Sequence, residues 1–471
     1  MSLLHELESI VGPEHVLQGE SAEPYLTDWR HRYSGKCLAV VRPANSQEIA
    51  EVVSACFNYQ IPIVPQGGNT GLCGGATPSN KGDAVVLSTM RLNQILNIDT
   101  DNNTITVQAG CILQTIQEAA RQAGRLFPLS LAAQGSCSIG GNLATNAGGT
   151  QVLRYGNTRE LTLGLEVVTA EGDIWNGLRS LRKDNTGYDL RDLYIGSEGT
   201  LGIITAATLK LYPLPAGTCT ALLAFESIDA AVQVLNRASY GFGASLTAFE
   251  LMSDYCLQRV VDCFGLPVPF ALQSPWYALL EISDAESEQH ARELFEKVVG
   301  QAMEDGLVID AAIAESLQQS HDLWHLRESI PLAEAKTGQG IKNDISIPIS
   351  EIARFVKDTN ALLQQHFPGV RHIVFGHLGD GNLHYNIGAP IGQEQGFLEN
   401  QKAAFKVVYD QVAAFNGSIS AEHGIGQLKK SILPDYKDEV EIALMRRIKR
   451  ALDPYGLMNP GKVISSVDFE Y

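Results

Sequence analysis

The stretches VPQGGNTGLCGG at 64–75 and SIGGNLATNAGG at 138–149 decide how this chain is read. The first places glycines at 67, 68, 71, 74 and 75, directly after the apolar run 61–64. Ordering glycine costs backbone entropy, so such clusters mark positive-φ turns or close approach of another backbone or a ligand. A third tract, GSEGTLGIIT at 196–205, feeds an Ile/Thr-rich strand. Consecutive N–H groups in loops of this kind form concavities suited to a pyrophosphate. None has the G-x-G-x-x-G spacing of a dinucleotide fingerprint, and no GxxxxGK[ST] phosphate loop occurs. A nicotinamide-type fold and a P-loop ATPase therefore do not fit. A nucleotide cradle of another type competes with three ordinary loops.

Around these tracts the pattern alternates strand and helix. Cys37–Val41 reads as a strand, Asn45 or Ser46 as the cap of a helix with stripe Ile49, Val52, Val53, Cys56 and Phe57, and Ile61–Val64 as the next strand. Ile105–Val107 and Leu113–Gln122 form a second unit. Leu214-Pro215-Ala216-Gly217 is a domain boundary. Beyond it, strand–helix–strand units are expected at 220–253, 277–314 and 372–422, the last closing on a strand at 418–422. The expected fold is α+β, with a first domain at 1–216 (core 37–213) and a ferredoxin-like domain at 217–452 with helices on one side of its sheet.

The second half carries the chemistry. HIVFGHLGDGNLHYN at 372–386 runs from a buried strand through a tight turn into another strand, with His377 and His384 flanking the turn. AEHGIG at 421–426 adds Glu422 and His423. Two imidazoles and a carboxylate are a metal-ligand set that leaves a position open for substrate, with His423 spare to take a proton. Asp380 reads as a turn former or a partner that orients a ligand, rather than as a ligand itself.

Composition bounds the function. The 471 residues carry 35 basic and 53 acidic side chains, a net charge of −18 with no basic cluster, so nucleic acid and anionic membranes are poor partners. Its eight cysteines are scattered without a CxxC pair, which argues against an iron–sulfur cluster and suits a reducing compartment. MSLLHELESIVGPEHV at 1–16 lacks the basic region of a secretory signal, and no run reaches membrane-spanning length. A soluble, cytoplasmic protein is expected.

VPQGGNTGLCGG, SIGGNLATNAGG, YGNT, LGLEVV and GSEGTLGIIT, in this order, resemble the FAD-binding domain of the vanillyl-alcohol oxidase/p-cresol methylhydroxylase superfamily. HLGDGNLH, AEHGIG and NPGK resemble its FAD-linked D-2-hydroxyacid dehydrogenase branch, and the match covers nearly the whole chain. The resemblance implies that the first domain is a two-part FAD-binding one and that the segment 453–471 returns to it. It also implies that FAD is held by Pro65, Gly67, Gly68, Asn69, Thr70, Gly71 and Leu72 in the first loop. Ser136, Ser138, Gly141, Asn142, Thr145, Asn146 and Gly149 would hold it in the second tract, with Gly199 and Ile204 on the adenine side and Asn459 in the tail. Asn69 stands where some relatives have a flavin-linking histidine, so non-covalent FAD is expected. The same resemblance makes His377, His384 and Glu422 ligands of a divalent metal, zinc first and manganese second, and His423 the catalytic base. Arg327 and Lys342, with Asn386, match residues that hold the carboxylates of dicarboxylate substrates; the hydroxyl residue expected four after the arginine is Pro331 here.

The implied activity is oxidation of a D-2-hydroxy acid, D-2-hydroxyglutarate favoured over D-lactate or D-malate. Electrons would pass to a separate acceptor, an electron-transfer flavoprotein by family expectation, with quinone or cytochrome as alternatives; a homodimer is left open. Two rivals stand beside this reading: a flavin-free metallohydrolase using the same His/His/Glu set, and a protein holding nucleotide only as structure.

Overall fold

The structure, a computed structural model, describes residues 2–270, 273–336, 338 and 340–464. The chain divides into two compact units: Met1–Gly149 with Gly156–Leu214 and Glu422–Tyr471, and Thr150–Tyr155 with Pro215–Ala421. This differs from the expected division in two respects. The chain re-enters the first unit at Glu422 rather than at 453, and the short helix Val152–Tyr155 belongs to the second unit. Of the expected returning segment 453–471, residues 465–471 lie outside the described residues.

The first unit has two sheets. In one, Ala39–Val41, Val85–Ser88 and Ile63–Gln66 run parallel, with Val16–Leu17 added antiparallel at the edge. Its strands are apolar on both faces, as a covered parallel sheet requires. Helix Ser46–Asn58 is started by Asn45, whose side chain accepts from the Glu48 N–H, while Glu48 reaches back to the Ala44 N–H. The first bond satisfies an amide that the first helical turn leaves open, and the second ties the helix to the chain entering its cap. The buried face of that helix (Ile49, Val52, Val53, Cys56) packs with Val41, Ile63, Val85 and Leu87. The other sheet is antiparallel, in the order Ile95–Asp99, Thr104–Gln108, Gly202–Lys210, Thr162–Thr169, Ile174–Gly177.

In the second unit the first four long or short strands, Gly217–Phe225, Leu246–Ser253, Trp276–Asp284 and Asp310–Ile313, lie in the spatial order fourth, first, third, second, all antiparallel. With helices Ile228–Phe242 and Glu288–Glu304 as the crossovers, this is the ferredoxin-like arrangement. The sheet then continues through Arg371–His377 and Asn382–Gly388, with Gly340–Ile341 and Asp344–Ser346 at its far edge. Helices cover both faces, not one. Strand residues Leu222, Ala224, Met252, Tyr277, Leu279, Ile373 and Phe375 pack with helices Asp254–Phe264, Leu317–Glu328 and Ile330–Lys336. Their alternating neighbours Leu223, Phe225, Phe249, Leu251 and Leu280 are equally buried, as a sheet covered twice demands. Residues 418–422 are no strand: Ser418 makes one isolated bridge with Ser346, and Ala421 N–H donates to Asp344 O at 3.4 Å.

Candidate active site

A cavity of about 320 Å³ opens within the first unit between the glycine tracts. Pro65, Gly67, Gly68, Asn69, Thr70, Gly71 and Leu72 line it from the first loop, Ser138, Gly141, Asn142 and Thr145 from the second tract, and Gly199 and Ile204 from the third. The glycines at 67 and 68 exist because two loops meet there. A Cβ on Gly68 would lie 2.1 Å from Ser136 O, and one on Gly67 2.2 Å from Ser138 Oγ. Asn69 adopts φ +52, a left-handed conformation asparagine tolerates, and its side-chain amide donates to Thr27 O at 2.9 Å.

Ser136, Asn146, Gly149 and Asn459 do not line this cavity. Asn146 ends helix Ile139–Thr145 at φ +50 and accepts from the Arg159 N–H. Asn459 braces the walls: its amide donates to Gly75 O at 3.0 Å and Glu198 O at 2.7 Å. The Gly149 N–H donates to Glu422 Oε1 at 2.8 Å.

Glu422 and His423 line the same cavity as the glycine loops. Their loop is fixed by a residue that sequence reasoning passed over, although it sits inside the quoted tract GSEGTLGIIT. Glu198 accepts from the Ile425 N–H at 2.7 Å and the Gly426 N–H at 2.8 Å. Burial pushes the Glu198 carboxyl above its ordinary value, and the two amides pull back only part of that rise. Gly424 lies at φ +75 with Glu198 Oε1 2.6 Å from where a Cβ would stand, so a side chain there would evict the carboxylate.

The cavity suits a flavin nucleotide. Asn142 is buried, yet its Oδ1 finds no hydrogen-bond partner among the described residues, as expected of a group kept for a ligand. Beside Gly71 a Cβ would meet nothing within 4 Å, which leaves the loop open to an incoming molecule.

In the second unit, strand pairing assembles a polar cluster on the apolar sheet. Glu250 pairs with His377, and His384 pairs with both Phe375 and Asp344. The two imidazoles lie edge to face with centroids 5.6 Å apart. Glu250 Oε1 is hydrogen-bonded to His377 Nδ1 at 2.7 Å, whereas Asp344 Oδ1 stands 3.8 Å from His384 Nδ1, beyond hydrogen-bond reach. A metal-binding histidine is oriented by a partner such as Glu250, and His377 and His384 offer ligand atoms close enough together to suit a divalent cation. Glu422, the first residue of the returning segment, follows Ala421, which bonds the strand beside His384.

Arg327 is buried against the same carboxylate. Its Nε and Nη2 reach Glu250 Oε2 at 2.9 and 2.8 Å, and its guanidinium lies 5.0 Å from the Phe375 ring centroid. Burial would push the Glu250 carboxyl up, but its neighbours His377 and Arg327 and the hydrogen bonds they donate hold it below its usual value. Lys342 and Asn386 converge on a second buried carboxylate, Glu334, at 3.0 and 3.1 Å. Neither Glu250 nor Glu334 was legible beforehand, because nothing local marks one acidic residue in an apolar strand or helix as buried. Pro331 sits in helix Ile330–Lys336.

Residues 37–177 match the FAD binding domain family, and residues 214–463 match the C-terminal domain of FAD linked oxidases. The chain is 43% identical to a D-2-hydroxyglutarate dehydrogenase of Xanthomonas citri pv. viticola, over 95% of this chain and 93% of that one. It is 39% identical to the mitochondrial D-2-hydroxyglutarate dehydrogenase of Bos taurus, over 98% and 83%. Among solved structures, p-cresol methylhydroxylase with substrate bound superposes with a TM-score of 0.75 at 16% identity, over 98% of this chain and 96% of that one. The 4-ethylphenol oxidase of Gulosibacter chungangensis gives 0.74 at 17%, over 98% and 97%. These two likenesses carry the fold alone. The chain belongs to the FAD-linked oxidases, alongside the D-2-hydroxyglutarate dehydrogenases, and is a flavin-dependent oxidoreductase.

Proposed function

We propose that this protein oxidises a D-2-hydroxy acid to the 2-oxo acid, with D-2-hydroxyglutarate the favoured substrate. One observation supports it above others: His423 lines the cavity built by the flavin-type glycine loops. The names of the relatives at 43% and 39% identity point to the same substrate. Non-covalent FAD, which the Asn69 loop admits because an amide makes no flavin link, supplies the hydride acceptor. His377, His384 and Glu422 would hold a divalent cation, zinc first, which would supply a Lewis acid for the hydroxyl and carboxylate oxygens. His423, an imidazole suited to neutral pH, takes the hydroxyl proton. Arg327 offers the guanidinium edge at Nη1, which Glu250 does not use, to one carboxylate. Lys342 and Asn386 meet the second carboxylate, the feature that separates a hydroxyglutarate from a lactate. Electrons then leave to a separate acceptor, for which an electron-transfer flavoprotein is our reading.

The test is anaerobic bleaching of the flavin band by a panel of D- and L-2-hydroxy acids, with and without chelator. D-2-hydroxyglutarate should bleach it fastest, chelator should slow it, and His423→Ala should slow it by about a hundredfold or more. A purified protein without flavin would return the metallohydrolase reading. Flavin that no hydroxy acid reduces would return the binding-protein reading.

A further inference from the structure

We infer that Glu250 is a positioning residue that ties the substrate-binding cation Arg327 to the metal-binding imidazole His377, so that each site senses the other. The inference rests on the roles just proposed for those two residues, and goes beyond them to a side chain that touches neither substrate nor metal.

Glu250 stands in the strand Leu246–Ser253, in register with Leu279 on one side and His377 on the other. It is 1% exposed and faces a cluster of Met252, Leu279, Ile373 and Phe375. A lone carboxylate in such a place is costly to bury, and it persists only when paired and hydrogen-bonded. Here both oxygens are committed, and to different partners. Oε2 takes Nε and Nη2 of Arg327, and Oε1 takes Nδ1 of His377.

Three consequences follow from this division. Holding the proton on His377 Nδ1 leaves Nε2 as the ligand nitrogen, which is how an outer carboxylate sets the tautomer of a metal-binding histidine. Holding Arg327 by its Nε edge fixes a long, rotamer-rich side chain so that its remaining edge presents a planar fork to a carboxylate. Because the two partners share one carboxylate, neither can move without changing what Glu250 offers the other. The length of the side chain matters too, since the carboxylate reaches from its own strand both to the neighbouring strand and to the helix Leu317–Glu328.

Glu250→Gln keeps the size and removes the charge. Three N–H donors then compete for one carbonyl oxygen, and the new amide N–H₂ confronts either the guanidinium or the imidazole. Zinc affinity, measured by competition with a chromophoric chelator on the flavin-loaded protein, should fall 10- to 100-fold, the range seen when such outer carboxylates are removed. KM for D-2-hydroxyglutarate should rise about tenfold or more, with a smaller loss in kcat, while flavin content stays at the wild-type level. Arg327→Lys, a change away from the metal donors, should also shift zinc affinity several-fold, and combining it with Glu250→Gln should give less than the product of the two effects.

A residue needed only for folding would lower thermal stability and leave zinc affinity and KM per folded molecule unchanged. Zinc affinity and KM within twofold of wild type in Glu250→Gln overturn the inference. If that variant does not accumulate, Glu250→Asp, too short to span both partners, reads the same two quantities. Wild-type protein that turns over D-2-hydroxyglutarate while Glu250→Gln matches it defeats only this inference; wild-type protein that binds no zinc defeats the metal assignment as well.

Discussion

At the residue scale, the second unit solves one problem twice: how to keep cations poised inside an apolar sheet. Arg327 and His377 share Glu250, and Lys342 and Asn386 share Glu334. Each buried carboxylate cancels charge that would otherwise be unaffordable there, and a bound anion then adds to a neutral pair rather than rescuing a bare cation. Lys342 keeps 28% of its side chain exposed, so it is the member that can turn toward a ligand. Lys342→Ala should therefore raise KM for D-2-hydroxyglutarate about tenfold to a hundredfold, the worth of a hydrogen bond to a charged group, and barely alter KM for D-lactate. Steady-state kinetics on both substrates check this, and equal changes would remove the reason for preferring the dicarboxylate.

The first unit offers a titration instead. Lys462 is 5% exposed, donates to Thr77 O at 2.8 Å, and burial pushes its ammonium down to about 8. An unfolded lysine titrates near 10.4, so between the two values the unfolded chain holds more protons, and stability rises with pH. Below pH 8 the protein carries the full cost of a buried charge. Lys462→Met should thus lose ground to wild type as pH goes from 7.5 to 9, by on the order of 1 kcal/mol in denaturant unfolding. A difference independent of pH would show that Lys462 is solvated.

At the element scale, the loops matter more than the strands that carry them. The 64–75 loop and the 136–149 tract touch backbone to backbone at Gly68, where Ser136 O occupies the space of a Cβ at 2.1 Å. Gly68→Ala must push the second tract aside, at a cost of about 1–3 kcal/mol for overpacking. The protein should purify with markedly less flavin, read as the ratio of absorbance near 450 nm to that at 280 nm. Full flavin content would mean that the two loops need not meet. The strand pairs Glu250/His377 and Asp344/His384 show the converse arrangement, in which regular ladder geometry alone brings the donors side by side.

At the scale of the whole molecule, the chain builds its first unit from three separated segments, and the third begins with Glu422 and His423. No helix among the described residues is long and apolar enough to cross a membrane. Much was legible in advance. The helix after Asn45, the boundary segment 214–217 within which the units divide, the crossovers of the ferredoxin-like arrangement and the hairpin around His377 and His384 all follow from periodicity, caps and turn chemistry, which are local. The helix coverage of the sheet was misjudged because alternation tells which strand faces are apolar but not how many layers cover them. Residues 418–422 were misread as a strand because a short small-residue run carries no periodicity of its own. By itself, then, the sequence determined most of the secondary elements, the glycine tracts and where its histidines and acids cluster along the chain, since these depend on neighbours a few positions apart. Only the tertiary structure decided which carboxylates those side chains would meet: Glu198 under the His423 loop, Glu250 between Arg327 and His377, Glu334 beneath Lys342. Burial of an acid is a property of everything packed around it, and positions 77 residues apart, as Glu250 and Arg327 are, leave no pattern for a reader of the chain to find.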